Sequence, residues 1–401
     1  LVGSEMCIRD SYEIEQAYAL NLRPLFMHAE EHYDKNPIFT PKEKNSSESY
    51  SIESLDSLEK VHQALSILQF KLEGQLIKRH PDFKMEDRLL LEKIDYDNET
   101  ISLNGKSYPL QGSCFQTLQK DVHALTEQEE YVVDTLLTSF QQSSKMQEHI
   151  QLLLNKGSMY RVYNQHLLFH GCLPLKKDGS FLPLTVEGTD YGGKDLLNFF
   201  EDHIRSGCQS QKKDSSSADW IWYCWTGKIS PQFGKSAMTT FERYFIADKA
   251  THKEIKNPYY HYRDTKETCQ MILEEFALYS PNSRIINGHT PVKVQDGESP
   301  IKGEGMLFVI DGGLSKAYQK TTGIAGYSLL NNSYGFQLVT HDPFESVENL
   351  LEKQADETSL KRVIDKDLKR LLIKDTTVGD SLEEQIENLT GLLHYQDKNN
   401  S

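Results

Sequence analysis

The sequence predicts an α/β fold of the α+β kind, and three observations carry that prediction. Residues 51–157 combine helical apolar spacing with a single hairpin signal, Asn104-Gly105. From Tyr160 the texture changes to short apolar runs punctuated by glycine, as buried strands require. Beyond residue 345 the pattern returns to a helical tail. Two of the apolar runs end alike: Arg284-Ile285-Ile286-Asn287-Gly288-His289 precedes Thr290-Pro291, and His166-Leu167-Leu168-Phe169-His170 precedes Gly171. Each presents one imidazole at a strand end, where open α/β sheets hold their ligands.

The elements follow in order. Residues 12–33 carry apolar side chains at helical spacing, and Pro24 within them implies a kink or two helices meeting there. Residues 36–51 are rich in Pro, Lys, Ser and Asn and read as a loop. Leu55, Leu58, Val61, Leu65, Leu68 and Leu72 mark a helix that ends before Pro81. Thr126 with Glu129 makes a capping box, opening a helix that runs to Gly157 with a break near Ser143. Residues 181–186 continue the strand texture, and Gly192-Gly193 precedes a helix to about Arg205. Residues 206–219 read as a polar linker. An aromatic stretch, 220–227, leads to Gly227-Lys228, and a helix or strand follows through Phe241, Arg243 and Phe245. Residues 265–279 form an amphipathic helix, 306–310 a buried strand, and 327–340 a hairpin turning at Asn331-Asn332-Ser333. In the tail, Ser381 and Glu384 read as a second capping box.

At 401 residues the chain has room for two or three domains, or one with an insertion. Its 44 basic and 59 acidic residues give a net charge of −15, which argues against nucleic acid or a membrane surface as partner and fits a soluble cytoplasmic protein. An anionic substrate then needs a locally basic pocket or a metal. The six cysteines are scattered without a C-x-x-C pair and read as reduced thiols. No stretch approaches the roughly 18 apolar residues of a membrane span, and no signal peptide is visible.

A lone strand-end histidine is more often a hydrogen-bonding residue than a ligand. His170 and His289 together, each beside a turn-permitting residue, make metal ligation an even choice on local grounds, and imidazole suits manganese, iron or zinc. Lys228, Lys235 and Arg243 lie among aromatics and glycine, where cations grip phosphates or simply face solvent. Asp311, before Gly312-Gly313, makes a turn or orients a histidine. The tryptophans of 220–225 fit a core better than a sugar platform.

These segments carry a resemblance. HLLFHGCLPL at 166–175 resembles the fourth metal motif of the calcineurin-like phosphatases, and NGHTPVK at 287–293 resembles the fifth. LNLRPL at 20–25, WTGKISPQFGKSAMTTFERYFI at 225–246, IDGGLSKAYQKTTGIAGYSLLNNSYG at 310–335 and IKDTTVG at 373–379 extend it. In this order they resemble class III fructose-1,6-bisphosphatase, from about Tyr12 to Tyr395 and most weakly across 51–157. The resemblance implies a metallophosphoesterase-type β-sandwich flanked by helices, with a helical insertion and a helical tail. It implies hydrolysis of the C1 phosphate of a sugar bisphosphate at a two-metal site supplied with manganese. His170 and His289 would ligate one of the two metals, with Lys228, Lys235 and Arg243 as substrate cations and Asp311 behind a histidine. A homo-oligomer is compatible with it.

The family pattern also includes G-D-x-x-D-R-G and G-N-H-D/E, which this sequence lacks. Residues 1–11, LVGSEMCIRDS, begin without Met and read as a non-native lead-in. The expectation is therefore an N-terminally truncated fragment, inactive by itself: 12–50 from the parent's first half, 51–157 an insertion, 158–345 the second half of the phosphoesterase domain, and 346–401 the tail. Two rivals stand beside it: a phosphatase acting on another phosphate ester or a phosphoprotein, and a non-catalytic interaction protein with structural histidines.

Overall fold

The computed structural model describes residues 14–40, 52–112, 115, 121–209, 216–313, 319, 321–324, 326–342, 360–366 and 370–399, with backbone alone at 52–55, 360–361, 365–366 and 397–399. The chain divides into two compact units: Leu1–Gly157 with Thr226–Lys228 and Ser236–Ile255, and Ser158–Trp225 with Ile229–Lys235 and Lys256–Ser401. Among the described residues no helix is long and apolar enough to cross a membrane.

The first unit is helical around an aromatic core. Helix Arg23–His32 starts with a proline in its first turn, after Ala19 at φ 55°, so Pro24 separates two helices as its missing N–H demands. It packs on the long helix Ile52–Arg79 and on Glu127–Gln142. Phe39, Phe70 and Phe115 close on Phe241 and Phe245, which the short helix Thr240–Phe245 presents one turn apart. Burying each such ring is worth roughly 2 kcal/mol. Thr126 and Glu129 form the expected reciprocal cap, and Glu129 also meets the buried ammonium of Lys71 at 2.7 Å. Ser143 caps the next helix, Ser144–Lys156. Strands β1 (Ile94–Asp95), β2 (Thr100–Leu103) and β3 (Lys106–Pro109) form an antiparallel sheet. Asn104 and Gly105, at φ 51° and 76°, turn β2 into β3 in the left-handed geometry that a two-residue hairpin selects.

The second unit is built on a five-stranded sheet in the order β4 (Tyr160–Tyr163), β5 (His166–Phe169), β8 (Ile285–Asn287), β10 (Leu307–Val309), β9 (Ile301–Lys302). The three inner strands are parallel, and all of β8 and β10 is buried, which explains the apolar runs Ile285-Ile286 and Leu307–Val309. Phe169 and Val309 both stand opposite Asn287, so the strands end level and release their loops at one edge. A second antiparallel sheet, β11 (Gly326–Asn332), β12 (Gly335–His341) and β13 (Leu360–Lys366), packs on the first through Phe336, whose ring lies 5.3 Å from that of Phe308 and 4.8 Å from that of His166. Strands β6 (Leu184–Val186) and β7 (Thr189–Tyr191) pair by themselves. Helix Gly193–Gln209 lays Phe199 and Phe200 against Trp220 of helix Ser216–Thr226.

Several expectations are corrected here. The tail is not wholly helical: β13 lies within it, and helix Thr377–Asn399 begins early enough that Ser381 and Glu384 are interior and cap nothing. Residues 206–219 are not all linker, since one helix reaches Gln209 and the next begins at Ser216. Its polar first turn, ending in Asp219, suits a helix N-terminus and mimics a loop in sequence. The β11–β12 turn is Ser333-Tyr334, one step beyond the asparagines; Asn332 closes it by accepting a bond from the Tyr334 N–H at 2.9 Å.

Candidate functional site

Because β5 and β8 end in register, His170 and Gly288 follow at the same level, and the Gly288 N–H donates to the His170 carbonyl at 3.0 Å. One residue further, His289 takes φ 67°, a left-handed backbone that costs a non-glycine residue roughly 1 kcal/mol or more and turns its ring back toward the first loop. His289 Nδ1 stands 3.2 Å from His170 Nε2, with the rings 5.1 Å apart and nearly perpendicular. Behind His170, a Cβ on Gly171 would come within 2.0 Å of the Pro231 carbonyl, so only glycine lets the segment 229–235 cross there.

The residue that sequence reasoning missed is Asn287. It is 1% exposed, and its amide donates to the carbonyls of Phe169 (3.3 Å), His170 (3.0 Å) and Gly171 (2.8 Å). Its carbonyl oxygen accepts from the Tyr259 hydroxyl (3.1 Å) and from Arg263 Nη1 (3.0 Å). A polar residue inside a β-branched run is the signal that could have found it, since a buried amide must be satisfied by something specific.

Burial lowers the His289 pKa to about 4, with His170 and Lys235 acting in the same direction and a hydrogen bond to the Phe233 backbone opposing them. At neutral pH this ring is uncharged and keeps one lone pair for a ligand. Lys235 belongs to the same unit, with its ammonium 5.6 Å from the centre of the Phe233 ring. Lys228 and Arg243 belong to the other unit. There Lys228 pairs with Asp87 at 2.5 Å and donates to the Lys84 carbonyl, while Arg243 donates to Thr239 Oγ1 and to the His252 carbonyl. The Asp311 carboxylate accepts from the Gly313 N–H at 2.9 Å, a local turn, and its main-chain carbonyl accepts from Val292, tying the histidine loop to the end of β10. Trp220 is core; Trp225 is half exposed.

Two nitrogens bound to one ion at roughly 2.1 Å, with about 90° to 110° between the bonds, lie roughly 3.0 to 3.4 Å apart. The observed 3.2 Å fits two imidazoles sharing a cation, and equally an imidazole–imidazole hydrogen bond. Among the described residues no group of three or more His, Cys, Asp or Glu side chains is placed to hold a metal.

A family model described as Firmicute fructose-1,6-bisphosphatase matches residues 7–398. The chain belongs to this family. It is 56% identical over 385 residues to the class 3 fructose-1,6-bisphosphatase of Streptococcus sanguinis, covering 96% of this chain and 60% of that protein. It is 54% identical to the enzyme of the same name from Pediococcus pentosaceus, over 95% and 59%, and 50% identical to that of Staphylococcus aureus, over 98% and 62%. The chain thus spans about three fifths of the length of the curated relatives it matches. No solved structure matches it. These matches lend no support to the expectation of an inactive fragment with half of its site missing.

Proposed function

We propose that this chain takes part in metal-dependent hydrolysis of fructose 1,6-bisphosphate to fructose 6-phosphate and phosphate, with His170 Nε2 and His289 Nδ1 as ligands of one cation. The observation that carries the reading is the 3.2 Å convergence of these nitrogens in a chain of the fructose-bisphosphatase family. A divalent metal, manganese in this reading, supplies Lewis acidity toward the phosphoryl oxygens and toward the attacking water when bound. The chain's own residues do the positioning. Asn287 fixes the backbone at His170 and Gly171, the Phe233 backbone restrains His289 from behind, and Asp311 anchors the loop after His289 through Val292. Lys235 adds a positive charge beside the pair, suited to an anionic sugar phosphate. A metallophosphoesterase-type sandwich is supported by the packing of Phe336 between the two sheets of the second unit.

The test is phosphate release from fructose 1,6-bisphosphate with and without MnCl2, run beside a phosphopeptide. Manganese-dependent release that prefers the sugar bisphosphate and is lost in His170→Ala and His289→Ala is the expected result. Turnover that survives both substitutions, or that prefers the phosphopeptide, contradicts the reading.

A further inference from the structure

The second unit buries a cation that has no carboxylate partner. Arg263 follows the short helix Tyr259–Tyr262 and is 7% exposed. Its N–H donates to the Tyr259 carbonyl at 2.8 Å, continuing the helical turn, so the two side chains, four residues apart, leave from one face. Both reach the same atom: the Tyr259 hydroxyl and Arg263 Nη1 donate to the Asn287 side-chain oxygen at 3.1 Å and 3.0 Å. The guanidinium lies 5.1 Å from the centre of the Tyr260 ring and 6.0 Å from that of Tyr259. Among the described residues it makes no ion pair, and its buried Nε has no hydrogen-bond partner.

Stability does not account for this arrangement. A buried guanidinium gives up its hydration, and two ring faces and one amide oxygen return only part of it; an apolar side chain of similar length does as well or better in such a place. What Arg263 supplies instead is a donor that can never accept. A tyrosine hydroxyl can turn and accept, but a guanidinium cannot. Facing Arg263, the Asn287 side chain has to present its oxygen, and its NH2 then points at the carbonyls of Phe169, His170 and Gly171. The fixed charge also polarises that amide and strengthens the bonds it donates. The His170 carbonyl accepts from the Gly288 N–H as well, so the amide acts where the two histidine loops are joined.

We propose that Arg263 is a positioning residue for the histidine pair. Through the Asn287 amide it holds the His170 backbone level with Gly288, and so keeps His170 Nε2 and His289 Nδ1 at the 3.2 Å that lets them share a cation. This rests on the reading of the pair as metal ligands and deepens it. Arg263 acts through Asn287 and meets neither metal nor substrate.

Calorimetric titration of MnCl2 into the metal-stripped chain, beside a thermal melt of the same protein, tests it. Arg263→Met should weaken Mn2+ binding by roughly tenfold to a hundredfold, the loss that follows an outer-shell partner. Its melting midpoint should stay level or rise, because the variant no longer buries an unpaired cation. Arg263→Lys keeps a donor-only cation and should restore most of the affinity. Arg263→Gln stays polar but stops short of the Asn287 oxygen; it should bind Mn2+ as weakly as the Met variant, and replaces it if that one does not fold. Wild-type affinity in the Met or Gln variant, whatever the melt shows, overturns the proposal and leaves the metal-ligand reading standing. A Lys variant as weak as the Met variant overturns it too, assigning the effect to packing on the tyrosine rings. A wild-type chain that binds no Mn2+ overturns both.

Discussion

The Asn287 side-chain amide, at the end of β8, donates to the main-chain carbonyl of His170, beyond the end of β5, at 3.0 Å. The residue two before one imidazole thus fastens the loop that carries the other. Asn287→Leu keeps the branching at Cγ, removes that bond and its neighbours to Phe169 and Gly171, and leaves Arg263 and Tyr259 without that acceptor. Stranding buried polar groups of this kind costs on the order of 3 kcal/mol. The denaturant midpoint should fall accordingly, and an unchanged midpoint would show that the network is not needed.

Glycine substitutions separate two causes of strain. At Gly105 the positive φ is the whole problem, because a Cβ there meets nothing within 4 Å; Gly105→Ala should cost about 1 kcal/mol. At Gly171 the obstacle is the Pro231 backbone carbonyl, which cannot rotate away. Gly171→Ala should cost roughly 2 to 3 kcal/mol and displace His170 as well. Thermal melts of the pair check the order, and equal losses would contradict it.

Acid sensitivity should come partly from His62, which is buried in the first unit with Nε2 2.9 Å from the Tyr244 hydroxyl. Burial lowers its pKa to about 4 from 6.5. Between those values the unfolded chain binds the extra proton, so stability is fully present above pH 6.5 and is lost as pH falls toward 4. The contribution is about 3 kcal/mol at most. His62→Gln keeps a polar partner for Tyr244 without titrating, and should flatten the stability profile across that window. A profile with the same slope in both proteins would assign the effect elsewhere.

Much of this was legible in the sequence, for reasons that also explain the rest. The capping box at Thr126, the Asn104-Gly105 hairpin and the break at Pro24 are local rules, complete within a few residues. The strands that deliver His170 and His289 announce themselves because inner parallel strands are rich in apolar residues, here Leu167, Leu168 and Phe169 in one and Ile285 and Ile286 in the other. Strand β13 did not, since LKRVIDK is a charged strand at the edge of its sheet, where charge discourages further pairing. Asn287 lay in plain view inside a motif read for its histidine. Its five bonds reach Phe169, His170, Gly171, Tyr259 and Arg263, and only the folded chain brings those together.

The central claim is that His170 and His289 share one metal ion, and direct binding tests it without relying on turnover. MnCl2 titrated calorimetrically into metal-stripped chain should show saturable binding. His289→Ala and His170→Ala should each weaken it by more than the roughly tenfold to hundredfold lost with an outer-shell partner. Wild-type affinity in either variant would contradict the claim and leave the 3.2 Å contact as a hydrogen bond between two rings.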